Sequence, residues 1–97
     1  MSFLNEYNFD LLKNEAEVLV IREMENQVKN YPDMCLCNEC VVDIAAIALN
    51  AVKPLYRFSI LGTLYTSQAM TEQSYSDSVK KAVAEAIQKV KNNPAHD

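Results

Sequence analysis

The chain predicts an all-α fold, a small domain of three to four helices, and three observations carry that prediction. Its 97 residues include one glycine and three prolines, too few to turn the hairpins of a β-rich fold. Two stretches, one opening at Asn14 and one closing at Val90, repeat apolar residues every three or four positions, the period of a helix face. Ten of the twelve residues from Val41 to Val52 are apolar, a composition suited to a helix covered on nearly all sides. At this length a single core is expected, so residues 1–97 read as one domain. So small a core gains from a metal site or a second subunit, and the Val41–Val52 segment makes a homodimer the expected state.

The elements follow in order. Phe3, Leu4, Tyr7, Phe9, Leu11 and Leu12 are too regularly apolar for a disordered tail; they read as a short arm or helical turn packed on the domain or on a partner subunit. A first helix opens at Asn14, which with Glu17 resembles a capping pair, and its acidic first turn suits the positive end of the helix. Ala16–Val20, Ile21, Met24 and Val28 give it a broad apolar stripe opposite Glu15, Arg22, Glu25 and Lys29, and Pro32 ends it. The second helix is expected from about Asn38 to Val52. Lys53–Gly62 forms a connection with extended character. A long helical pattern follows from about Thr66, closing strongly at Val79, Ala82, Val83, Ala86, Ile87 and Val90 before Asn92, Asn93 and Pro94 stop it. Ser74–Ser78 is a candidate break, because serine and aspartate side chains compete for helical hydrogen bonds.

Charge and motifs exclude several function classes. A formal net charge of −4 argues against a nucleic-acid polymer as partner. The opening MSFLNEYNFD has neither the basic residues nor the apolar run of a secretory signal, and no stretch nears the roughly 20 apolar residues of a membrane span. The cytoplasm is the expected compartment, where thiols stay reduced. A glycine-rich phosphate loop, H-E-x-x-H, G-x-S-x-G and a second histidine are all missing, so an enzyme is not expected.

The densest chemistry lies just before the second helix, where Cys35, Cys37 and Cys40 are spaced C-x-C-x2-C. Zinc is the first reading, since three thiolates from one short loop cover three corners of a tetrahedron. The helix N-terminus beyond the loop favours thiolate over thiol. A metal there would clamp the loop and lock the first helix against the second. His96 is the preferred fourth ligand on chemistry, with Asp33, Glu39, Asp43, water or a partner-chain group as alternatives. The competing reading makes the cysteines small buried apolar residues. Redox catalysis ranks third, because a C-x-C pair forms only a strained bridge and no thioredoxin-like pattern surrounds it. A Cys–His nucleophile is rejected, since His96 sits one residue from the C-terminus.

The apolar helix has two polar exceptions, Asp43 and Asn50, seven residues apart and therefore on nearly one side. Glu39 precedes and Lys53 follows on the same stripe. The stripe is either the helix's one wet edge or part of a binding site. Lys53 and Arg57 are the only basic residues between Asn30 and Val79.

At C-x-C-x2-C-x2-D, then I-A-A-I-A-L-N and P-x-Y, the sequence resembles the late-competence ComFB family of small bacterial proteins. The matching residues are Cys35, Cys37, Cys40, Asp43, Ala46, Ala48, Leu49, Asn50, Pro54 and Tyr56, with L-Y-T at 64–66 also similar. The likeness runs from about Asn14 to Val90. It implies an all-helical homodimer with zinc at the cysteines. Some members carry a fourth cysteine near the C-terminal end, which this chain lacks. Lys53 and Leu55 depart from the common pattern, which has a proline before Pro54 and a basic residue after it.

Cyanobacterial relatives are receptors for cyclic di-GMP that bear on motility, pili and competence, so the resemblance implies a signalling receptor. Such a ligand would use Arg57 as a bidentate fork, Lys53 as a point charge, Tyr56 as a ring and Asp43 as an acceptor for a guanine edge. Asn50 would bond the ligand or fix the turn at Pro54. Core packing for Tyr56 and a helix C-cap for Asn50 are the plainer alternatives. The competing function is a ligand-free, zinc-stabilised protein–protein interaction module. Either one would act through an unidentified downstream protein.

Overall fold

The structure, a computed structural model, describes residues 2–58 and 72–94. The expected Gly62 end of the connection, the L-Y-T at 64–66, the start of the last helix near Thr66 and His96 all lie outside the described residues. What is described is a small all-helical domain: α1 (Phe3–Glu6), a 3-10 turn (Phe9–Leu11), α2 (Ala16–Val28), α3 (Asn38–Ala51) and α4 (Gln73–Asn92). It also holds one feature that an all-α reading does not contain. Two short strands, β1 (Lys13–Asn14) and β2 (Tyr56–Arg57), pair antiparallel with Lys13 opposite Arg57 and Asn14 opposite Tyr56.

Helical spacing builds the core. In α2 the buried residues are Ala16, Val20 and Met24, each four apart, and in α3 they are Cys40, Ile44 and Ala48. Residues at that interval share one helix face. α4 contributes Tyr75, Val79, Ala82, Val83, Ala86, Ile87 and Val90. The three helices pack pairwise on one another, so each shields one face of the other two. α3 is covered less completely than its composition predicts. Val42 stays 56% exposed and Ala46 is exposed too, between exposed Glu39 and Asn50 on the same side, so one chain leaves part of this apolar helix uncovered.

Asn14 is the stitch of the fold. Its Oδ1 accepts from the N–H of Ala16 at 3.2 Å and from the N–H of Leu55 at 2.8 Å. The carbonyl of Leu55 in turn accepts from the N–H of Glu15 at 2.9 Å. The expected pairing of Asn14 with Glu17 is therefore replaced: the asparagine serves Ala16 and a distant backbone amide. Leu55 is buried as a result, tying the end of α3 to the start of α2. Asn14→Ala would leave two backbone donors without this acceptor, and a loss of about 1–2 kcal/mol in urea unfolding is expected. An unchanged midpoint would mean that water serves those amides equally well.

α4 runs unbroken through Ser74–Ser78. The hydroxyl of Ser78 donates to the carbonyl of Tyr75 at 2.7 Å, and Gln73 Nε2 donates to Asp77 at 2.9 Å, so the polar side chains bond within the helix. Burial of Tyr75 and Val79 holds this turn down. The Tyr75 hydroxyl donates to the carbonyl of Lys53 at 2.7 Å, and burial raises its pKa above the ordinary tyrosine value. At the other end, Lys89 and Lys91 lie in the last turn, where cations favour the negative helix terminus.

Candidate metal centre and polar cleft

The thiol cluster grows out of the α2–α3 connection. After α2 the chain tightens through 3.0 Å bonds from the N–H of Asn30 to Gln27 and from the N–H of Tyr31 to Val28. Pro32 follows, and buried Met34 then pins the loop to the core. Cys37 caps α3: its backbone is extended and its Sγ accepts from the N–H of Cys40 at 3.5 Å. Cys40 faces inward from the first turn, whereas Cys35 is exposed. The Sγ atoms of Cys35, Cys37 and Cys40 all lie within 4.8 Å of one another.

That geometry fits a thiophilic cation. A tetrahedral zinc with Zn–S bonds of about 2.3 Å separates its sulfurs by about 3.8 Å, a small contraction from the arrangement present. The helix N-terminus adds partial positive charge beside the sulfurs. The Cys35 thiol is held below its ordinary pKa, first by the Cys37 backbone N–H, next by the Cys37 side chain and more weakly by Cys40. The three cysteines can therefore coordinate a metal ion. Asp33, Glu39 and Asp43 do not join their cluster. Asp33 does share a cleft of about 350 Å³ with Cys35 and Cys40.

The polar stripe is divided by the fold. Asn50 and Tyr56 line a cleft of about 460 Å³ together with Asn14, Glu17, Leu49, Val52 and Pro54. Asp43 is not part of it, lying two turns or about 10 Å up α3. Asn50 is not the C-cap, since α3 ends at Ala51; its Nδ2 donates to the carbonyl of Ala46 at 2.9 Å. Tyr56 is exposed rather than packed in the core. Lys53 is exposed as well, and it is its carbonyl that the fold uses.

Arg57 is engaged. Its Nε donates to Glu15 Oε1 at 2.7 Å, a partly solvated ion pair worth about 1 kcal/mol at most. Asn14, Glu15 and Glu17 are the residues that sequence spacing did not bring to this region. Only the β1–β2 pairing carries them there, across more than forty residues.

The family profile of the late competence development protein ComFB matches residues 13–94. The chain belongs to the ComFB family. Among solved structures, the late competence protein ComFB from Bacillus subtilis matches with a TM-score of 0.60 and 26% identity, over 86% of this chain and 93% of that one. No curated protein matches the chain. The ComFB profile takes in the thiol cluster, the apolar helix and the cleft, and it leaves the arm at 2–12 outside. ComFB is a late-competence family. Among the described residues no helix is long and apolar enough to cross a membrane.

Proposed function

We propose that this ComFB-family chain is a single zinc-stabilised protein–protein interaction domain, homodimeric and cytoplasmic, relaying to a downstream protein in competence, pili or motility. The observation that carries the reading is the outward face of α3. Val42 and Ala46 lie uncovered on a helix whose first turn carries Cys40 of the thiol cluster and is capped by Cys37. Zinc at Cys35, Cys37 and Cys40 would hold that helix rigid, and a rigid apolar face binds at lower entropic cost. A second copy is the occupant assigned to this face, because like surfaces meet across a two-fold axis.

A second reading, the cyclic di-GMP receptor, is favoured by one observation: a cleft holding both Asn50 and Tyr56. Its electrostatics count against phosphate. Glu17 lines the cleft, no lysine or arginine does among the described residues, and the Nε of Arg57 is committed to Glu15. On this reading Asp43, Lys53 and Arg57 would have to reach the ligand from two chains. Titration calorimetry with cyclic di-GMP separates the two. No heat is expected at concentrations that would saturate a micromolar site. Micromolar binding that disappears in Arg57→Ala would instead establish the receptor.

A further inference from the structure

Two clefts reach the thiol cluster, and each has a carboxylate at its edge. Asp33 and Lys91 line the first beside Cys35 and Cys40, and Glu39 lines the second beside Cys35 and Cys37. Lys91 is the only basic residue on either cleft among the described residues. It is also held there. Its Nζ lies 5.3 Å from the centroid of the Tyr31 ring, within the range of a cation–π contact. Gln88, one turn earlier on the same face of α4, donates from Nε2 to the Tyr31 hydroxyl at 3.2 Å. The Tyr31 carbonyl in turn accepts from the N–H of Met34 at 3.1 Å, so the ring that steadies Lys91 opens the loop that carries the thiols.

We propose that Lys91 balances the charge of the thiol centre, its ammonium raising the affinity for the zinc assigned to Cys35, Cys37 and Cys40 in the functional reading above, on which this role rests. Three thiolates around a divalent cation leave a net negative charge, and Asp33 and Glu39 stand beside it. Cys40 is 1% exposed, so part of that charge lies away from water, where it is costly without a counter-charge. Among the described residues Lys91 makes no ion pair, so no carboxylate takes up its charge. The helix dipole gives a plainer reason for a cation at the end of α4, but that reason covers Lys89 in the same turn equally. Lys89 does not line the cleft. The two lysines therefore separate a cation that serves the helix from one that serves the metal.

Zinc affinity, measured on the full chain at low salt by competition with a chromophoric chelator, tests this role. Lys91→Met is expected to bind zinc about tenfold more weakly, the lower end of the range for groups just outside a metal's ligands, because Lys91 is solvent-exposed. Lys91→Arg keeps the charge and should stay within about twofold of the unaltered chain. Lys89→Met should bind zinc as the unaltered chain does. The gap between the unaltered chain and Lys91→Met should narrow as salt rises, which lost packing against Tyr31 would not produce. Helix content by circular dichroism should match in all three variants, since both lysines are exposed. Equal affinity in Lys91→Met and the unaltered chain overturns the role of Lys91 and leaves the zinc reading standing. An equal loss in Lys91→Arg or in Lys89→Met does the same. No zinc uptake by the unaltered chain removes the zinc reading itself, and the role of Lys91 with it.

Discussion

Cys40→Ser is expected to cost the domain at least about 3 kcal/mol, a fall in Tm of roughly 12–24 °C for a chain of this size. Elemental analysis of the unaltered protein should find about one zinc per chain, and the variant should have lost it. The effect is large because Cys40 has two roles. It is a core residue on the same face as Ile44 and Ala48, and it is one corner of the thiol cluster. On the proposed reading, loss of a metal held there would free the α2–α3 connection and the first turn of α3 together. A strong chelator should reproduce most of the loss without any mutation.

Acid should do the same, since protons compete with the metal for thiolate, and the metal-linked stability is lost as pH falls. In metal-stripped protein a weaker trend of the same sign remains. The Cys35 pKa lies below its ordinary value, so its contribution is complete above that ordinary value and fades as pH falls through the lowered one. A metal-free protein with an unchanged Tm in Cys40→Ser would mean that the thiols are ordinary core residues.

Ile44→Ala should destabilise by about 2–5 kcal/mol. Ile44 is 0% exposed at the middle of α3, where α2 and α4 both bear on that helix. The lost methyl groups leave a cavity that three packed helices cannot close without moving together. Denaturant unfolding measures this directly, and the m-value should stay constant if only stability has changed. A loss below about 1 kcal/mol would indicate that the core around Ile44 is loose enough to collapse into the space.

Much of this fold is written in apolar spacing. The bounds of α3 to within a residue, the buried face of α4 and the cysteine cluster follow from periodicity and from three thiols in six positions. On α2, by contrast, only Ala16, Val20 and Met24 of the expected stripe are buried, and Val18 and Ile21 stay about half exposed. What the sequence conceals is contact between distant polar groups. Nothing local announces that Asn14 reaches Leu55, or that Glu15 holds Arg57. The same pairing sets Glu17 at the cleft and occupies the Nε of Arg57, and neither arrangement is carried by local spacing. Ser74–Ser78 misleads for the opposite reason. Local competition argues for a break, but burial of Tyr75 and Val79 outweighs it. Composition also overstates how far α3 is enclosed, since apolarity marks which faces want cover and not which receive it within one chain.

The stitch at Asn14 and the cap at Cys37 lie at opposite ends of α3. A helix normally loosens from its termini, where four amides and four carbonyls lack partners. Here one terminus is gripped by sulfur and the other is drawn onto β1 through Leu55, so neither is available as a place to begin fraying. Among the described residues, partial unfolding is expected to start at the arm or at the far end of α4, and a protease should trim those regions before it cuts the central helix.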